Sequence, residues 1–488
     1  TGCGTHQILE AYHYEGGVIS PRDTAAKTLA SALTISFGGS AGLEGPSLLL
    51  GGGIASAIGR RLNLRPGELK VYLLSGSAAG LAAIFKAPLT GILFALEIPY
   101  QRDIAQEAFI PATVSSLTAY FTLVNILGVE TLFPSMPVLA VPSISVILHA
   151  FAVGLTATFC GVAFVKVFDA FNNLRLRIRL NALTYPLIGG LSVGLVGLYV
   201  PEALGVGYDT IQRMATGKLH ASPLVFLVAL LFLKMLATSA TLSSGGSGGL
   251  FMHSIYVGAV LGGAYAKAAL QAPSEVIVVA AMAAMIAATS KTLLTSVAFV
   301  ADTPGPSSVI PALVAAATSY FTSGRHSFYR RTQPLEKPVE EEEELRVLYH
   351  LIEKKRSSEK LGRTKVSEIM TSNPVALNDD MRMDEALDVV KRHGYRAYPV
   401  VTRGQVLIGY ATVEDLLTIP EDRRSLSVSH TVMRRPLSVT KEDTLLTVVN
   451  LMLERRIDHA YVVSDPQTMR LVGVLAGTDL VRKLLERL

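Results

Sequence analysis

Two glycine-rich breaks, far apart in the chain and alike in order, constrain this sequence more than any other feature. The first is Gly38-Gly39-Ser40-Ala41-Gly42-Leu43-Glu44-Gly45-Pro46, which opens the apolar run Ser47–Ile58. The second is Gly246-Ser247-Gly248-Gly249-Leu250-Phe251-Met252-His253-Ser254, which opens a run to Tyr265. At an offset of 207, Gly39, Ser40, Gly42, Leu43, Ser47 and Gly51 meet identical residues. At an offset of 205, Ala78-Ala79, Ala82-Ala83, Lys86, Leu89, Thr90 and Phe94 do the same, and Glu97 falls on Asp302. Matching breaks in two halves point to the binding site of a transporter. Glycines placed only for close helix packing leave the shared order of break, polar residue and apolar run unexplained.

The first break carries a single carboxylate, Glu44, with no basic neighbour in sequence, and ends in Pro46. Proline suits a first helical turn, where its missing N–H has no partner to lose. The stretch reads as an interruption at membrane depth followed by a helix whose free N–H groups face something negative.

Half of the 488 residues are hydrophobic and 17% are charged, but unevenly. Residues 1–333 are apolar with small islands of charge; from about 334 the composition is that of a soluble domain. The expected class is a multi-span, all-α membrane domain with repeated halves and broken helices, followed by an α/β pair. A net charge of +5 is small for this length and gives no case for nucleic acid. Cys3 and Cys160 cannot form a disulfide framework. The chain starts at Thr1 inside a glycine-rich motif, so membrane segments are expected upstream.

Thr24–Phe37, Ser47–Ile58, Val71–Phe85 and Leu89–Ile98 read as apolar segments, short against the roughly 20 residues of a spanning helix. Interrupted segments of this kind suit re-entrant pieces buried in a bundle. Ala105–Leu127 and Val146–Val167 are long enough to span. Thr184–Val200, Pro223–Ala240, Leu250–Tyr265, Ser274–Ala288, Leu293–Ala301 and Ser307–Phe321 complete the membrane part. Arg325, Arg330 and Arg331 follow the last segment, which places that side, and the soluble tail, in the cytoplasm. An acidic linker spans 334–364, with a helix expected over Glu341–Lys360. Two copies of a β, α, β, β, α pattern follow, at 365–420 and 428–488.

Several motifs now resemble one family, the CLC chloride channels and chloride/proton antiporters with a C-terminal pair of CBS domains. Gly42-Leu43-Glu44-Gly45-Pro46 resembles its G-x-E-G-P signature. Gly249-Leu250-Phe251-Met252-His253 resembles G-x-F-x-P with histidine for proline, and Gly2-Cys3-Gly4-Thr5-His6 resembles G-S-G-I-P with cysteine for serine and histidine for proline. Gly80–Glu97 resembles the segment before the inner acidic position, and Ser327-Phe328-Tyr329 the stretch carrying the filter tyrosine. The resemblance covers nearly the whole chain.

It implies a multi-pass protein of the cell membrane: a homodimer in the lipid bilayer, each subunit built from inverted repeats, that carries inorganic anions, chloride first, and is not an enzyme. The N–H groups of Leu250 and Phe251, the Tyr329 hydroxyl and the Cys3 side chain would line a central site. N–H groups from Leu43 to Gly45 would line an outer one. Glu44 would gate: ionised, it competes with the anion; protonated, it vacates. Proton-coupled members carry an acid after the position of Glu97, where this chain has Ile98. A channel and a chloride/proton or fluoride antiporter therefore both remain open, with Glu97 a candidate relay or a structural acid. His253 could add a titrating group or simply pack; Lys86 and Lys291 could attract anions, pair with acids or snorkel. In the CBS pair, Thr412, Asp415 and Asp479 would contact an adenine nucleotide, with at most one good site because Ala476 replaces the second hydroxyl residue. Two rivals are weaker. Gly245-Gly246-Ser247-Gly248 fits an intramembrane serine protease but lacks a placed histidine base. A divalent-cation channel needs clustered acids that the apolar runs do not have.

Overall fold

The computed structural model describes residues 2–128, 133, 143–177, 181, 184–303, 308–337, 363–417, 426–431, 433–455 and 457–477. The linker helix expected over Glu341–Lys360 lies outside them. The chain divides into two compact units, Thr1–Lys337 and Pro338–Leu488.

In the first unit, a two-residue strand β1 (Gly2–Cys3) leads into α1 (Gly4–Tyr14) and α2 (Pro21–Ser36). The first break then opens α3 (Glu44–Arg61), which starts three residues before the apolar run because Glu44 and Gly45 already have helical geometry. It packs on α4 (Pro66–Phe85), and a left-handed Lys86 at φ 51° turns the chain into α5 (Pro88–Glu97). After α6 (Phe109–Leu127), the long α7 (Ile144–Arg177) runs for 34 residues. At about 1.5 Å per residue that is roughly 50 Å, more than a bilayer's hydrocarbon, so it must tilt or project. Next come α8 (Thr184–Tyr199), the short amphipathic α9 (Tyr208–Ala215), which the hydropathy pattern did not mark, and α10 (Leu224–Ser243).

The second break contains strand β2 (Ser247–Gly248) and opens α11 (Phe251–Tyr265). Then α12 (Glu275–Ser290) ends at a left-handed Lys291, φ 59°, before α13 (Leu293–Asp302) and α14 (Val309–Thr322). The repeat is thus visible in the backbone: α3, α4, left-handed lysine, α5 in one half, and α11, α12, left-handed lysine, α13 in the other. By length and composition, four helices among the described residues are long and apolar enough to cross a membrane, Pro66–Phe85, Gln106–Leu127, Ile144–Arg175 and Leu224–Ser243. The core is unusually small-residued along α12, where nearly every side chain is buried and alanine recurs, so helices approach closely.

The second unit holds two βαββ modules. Strands β4 (Leu377–Asn378), β5 (Ala397–Val401) and β6 (Leu407–Thr412) form one sheet in that order. The other sheet runs β3 (Thr371–Ser372), β9 (Leu471–Ala476), β8 (His459–Val463), β7 (Ser438–Thr440). In each module the first strand pairs parallel to the second and the second antiparallel to the third. The segment before the first module crosses over: β3 pairs with β9, and Val366 and Ile369 pack into the core of the second module.

Candidate functional site

The amide of Phe251, first residue of α11, does not face solvent. It donates to Oε1 of Glu44 at 2.6 Å. Glu44 is itself the first residue of α3, and its side chain is buried. So the carboxylate of one half sits on the electropositive helix end of the other half, in the place a free anion would take. Its second oxygen, Oε2, has no hydrogen-bond partner among the described residues. A glutamate in a first helical turn ordinarily caps its own helix; this one accepts from the first amide of α11, in the opposite repeat.

The breaks are stitched together around it. Gly42 N donates to Gly249 O at 3.0 Å, and Gly249 N returns a bond to Gly42 O at 2.8 Å. The carboxylate occupies a slot made by missing side chains. A Cβ on Gly42 would lie 2.2 Å from Oε2, and one on Gly249 would lie 2.0 Å from Oε1. The third glycine-rich segment joins from the amino end: β1 pairs parallel with β2, Gly2 against Ser247 and Cys3 against Gly248. A Cβ on Gly4 would meet Gly45 O at 2.2 Å.

Cys3 places its Sγ 4.0 Å from the Tyr329 hydroxyl, both buried and both within electrostatic range of Glu44. Phe328 turns away onto Phe164 and Phe168, with ring centroids at 4.9 and 5.5 Å, so Tyr329 is the residue that faces the site. Sequence reasoning missed what holds it. Tyr329 N donates to Ser327 Oγ at 3.1 Å, and Ser327 Oγ donates to Gln333 Oε1 at 2.9 Å. Gln333 Nε2 in turn reaches the carbonyls of Ile98, Ser290 and Tyr100 at 3.0, 3.1 and 3.2 Å. Nothing in the local pattern of Gln333 signals this, because the carbonyls that its Nε2 reaches lie more than 40 residues away. The expected set of Cys3, Leu43, Glu44, Gly45, Leu250, Phe251 and Tyr329 thus converges on one locus.

Other candidates fall elsewhere. Lys86 donates to Gly128 O, and Lys291 to Tyr320 O and Ser323 Oγ, so neither reaches Glu44. Glu97 caps α13, with Leu294 N, Thr295 N and Thr295 Oγ1 at 2.8, 2.7 and 2.6 Å. Ile98 is buried beside it. His253 is buried near Lys234, whose Nζ donates to Ala203, Leu204 and Gly205 carbonyls at 3.1, 3.3 and 2.7 Å. Ser247 Oγ bonds Ser31 Oγ at 2.8 Å, not a histidine.

In the second unit, Thr412 and Asp415 bond reciprocally, Thr412 N to Asp415 Oδ2 and Asp415 N to Thr412 Oγ1, each at 3.1 Å. Asp415 Oδ1 accepts from Arg434 Nη2 at 2.6 Å. Partial burial works against ionisation of Asp415, but Arg434 and the Thr412 bonds outweigh it and hold the carboxyl below its usual range. Asp479 lies outside the described residues.

A bundle of interrupted helices whose breaks meet head to head around a buried carboxylate defines a multi-pass membrane protein for anion transport. The chain belongs to the CLC family: residues 1–324 match the family model described as voltage gated chloride channel, and residues 366–422 and 428–486 each match that of the CBS domain. It is 32% identical over 303 residues to the voltage-gated ClC-type chloride channel ClcB of Salmonella typhimurium, covering 59% of this chain and 70% of that one. It is 30% identical over 343 residues to a putative ClcB-like chloride channel protein of Ralstonia nicotianae, covering 67% and 79%. Among solved structures it is similar to a CLC-type fluoride/proton antiporter, with TM-score 0.62, 25% identity and 67% and 81% coverage. A eukaryotic CLC transporter, at 19% identity and TM-score 0.57, shares the fold over 98% of this chain and 84% of that one.

Proposed function

We propose that this protein moves an inorganic anion, chloride first, across the membrane past the junction of α3 and α11, and that Glu44 is the gate. The observation that carries this is the Glu44 carboxylate on the Phe251 amide. Ionised, it holds the helix end against an incoming anion; neutralised by a proton, it loses most of that attraction and frees the amide. Leu250, Phe251, Cys3 and Tyr329 would then hold the anion centrally, with N–H groups from Leu43 to Gly45 outside it. Neutral donors and helix ends bind an anion without the grip of a full cation, so it can leave.

Passive permeation is the first reading and proton-coupled exchange the second. The likeness to a fluoride/proton antiporter supports the second; Ile98 and the engagement of both Glu97 oxygens at α13 weigh against a proton route along the inner acidic position. Purified protein in liposomes, with anion efflux and internal pH recorded together, tests both. Efflux without proton movement favours the channel, protons driven uphill by the anion gradient establish exchange, and no anion efflux at all sinks the transport assignment. We further infer a homodimer, consistent with the exposed apolar faces of α6 and α14 (Ile110, Val114, Phe121, Ile310, Leu313). The CBS pair is assigned to the cytoplasm on the basic residues after α14. Asp415, with Thr412 and Asp479, is proposed to hold an adenine nucleotide there.

A further inference from the structure

Away from the anion path, Gln101, Arg102, Lys291, Tyr320, Phe321 and Gly324 line a small, partly open pocket at the ends of α12 and α14. Two cations converge on it. The buried Lys291 uses Tyr320 O and Ser323 Oγ as acceptors, at 2.9 and 2.6 Å, and lies 5.1 Å from the Tyr320 ring centre. Arg102 is exposed, repels Lys291, and forms no ion pair among the described residues. Two acids close by in the chain or the fold are already engaged. Glu97 caps α13, and Asp103 accepts from the amides of Ile104 and Lys337. Two like charges held at one opening, one of them desolvated, are costly unless an anion joins them. Phe321 beside them is exposed and apolar, as a residue facing acyl chains would be.

We propose that this cavity binds a phosphate group, either the headgroup of an anionic phospholipid or a free phosphate. Basic pockets between membrane helices on the cytoplasmic side suit such headgroups, and arginine matches phosphate geometry with two parallel donors. The walls connect to the anion site. Tyr320 OH donates to Gln101 O at 2.5 Å, and Gln101 Nε2 donates to Gln333 O at 3.1 Å. Gln333 holds Ser327, which holds the Tyr329 amide. Occupancy at Arg102 and Lys291 therefore stiffens the support of Tyr329. The inference does not depend on Glu44 being the gate.

The test uses the full chain purified in detergent. Its melting midpoint is followed as dioleoylphosphatidylglycerol, dioleoylphosphatidylcholine or inorganic phosphate is added. Phosphatidylglycerol should raise the midpoint saturably and phosphatidylcholine should not. Arg102→Gln should weaken the half-saturating concentration by about tenfold, the loss of one charge-assisted contact. Arg102→Lys should fall between the two. Arg330→Gln, a cation outside the cavity, should match the wild type. Saturation by inorganic phosphate alone would keep the site and assign it to the free ion. Equal stabilisation by phosphatidylcholine, or an Arg102→Gln protein that responds like wild type, would overturn the proposal.

Discussion

Glu97 closes α5 and caps α13: its Oε2 accepts from Thr295 N at 2.7 Å and from Thr295 Oγ1 at 2.6 Å. The opposite half returns the arrangement. Asp302 closes α13, and its Oδ2 accepts from Thr90 N and Thr90 Oγ1 at 2.7 and 2.9 Å. Each acid thus lies at one helix's carbonyl end and satisfies free N–H groups at another's start, which needs partners at membrane depth. The pseudo-symmetric sequence positions of Glu97 and Asp302 become a reciprocal clasp between the halves.

A clasp and a proton relay differ in what their loss does. Glu97→Ala strips a buried helix end of its acceptors and should lower stability by about 2–4 kcal/mol. Glu97→Gln keeps one acceptor oxygen and should cost roughly half of that. Thermal or denaturant unfolding of the purified protein gives the order. A normally stable Glu97→Ala protein that has lost only proton movement would instead assign Glu97 to a relay.

The gate makes its own demand on pH. Protonation weakens the hold of Glu44 on the Phe251 amide, so anion flux should rise as external pH falls and decline as the carboxyl ionises. Glu44→Gln carries no charge at any pH; its flux should be high and flat from roughly pH 4.5 to 7.5. Efflux from liposomes, measured at a series of external pH values, decides it. A Glu44→Gln protein that keeps the wild-type profile excludes Glu44 as the sensor.

Gly249 should behave as a partner of Glu44 and not as a generic packing glycine. An added methyl would stand 2.0 Å from Oε1, so Gly249→Ala must push the carboxylate out of its slot. The single variant is expected to lose most of the pH response. In a Glu44→Gly background the clash with the carboxylate is gone and the closest approach left is to the Gly45 amide nitrogen, at 2.7 Å, so Gly249→Ala should then change flux by less than it does in the parent. This is a double-mutant cycle, in which residues that touch fail to add. Additive effects in the two backgrounds would dissociate Gly249 from the gate.

These contacts also show what the sequence could and could not disclose. The paired breaks, the matching positions of Lys86 and Lys291 and the two copies of a β, α, β, β pattern were legible because glycine content, internal repetition and period-two patterning are local signals. The meeting of Glu44 with Phe251 was legible only through the repeat, which set the two breaks against each other. By contrast, α9 is eight residues of mixed polarity and leaves no apolar run to find. Gln333 was invisible because its role is a set of long-range carbonyl contacts, and a buried glutamine looks like any other until its partners are known. Lys86 and Lys291 could in sequence attract anions, pair with acids or snorkel; their φ of 51° and 59° and their carbonyl partners make them helix terminators.

Arg434 sets the last expectation. Its guanidinium donates to Asp415 Oδ1 while Thr412 N donates to Oδ2, so both carboxylate oxygens are engaged. Nucleotide must therefore displace Arg434 or share the carboxylate with it. Because the folded carboxyl lies below its usual range, the ion pair is complete above the unfolded value of about 3.9 and is lost only as pH falls through the lower folded one. The competition is accordingly constant across neutral pH. Arg434→Gln removes the cation from Asp415 Oδ1 and should tighten ATP binding to the full-length protein by about three- to tenfold. It should also leave that binding less sensitive to salt, since Asp415 no longer has to be freed from a charged partner. Asp415→Asn should abolish binding in either background. Titration calorimetry of the four proteins at two salt concentrations tests the relation; ATP that binds Asp415→Asn as well as the parent removes Asp415 from the site.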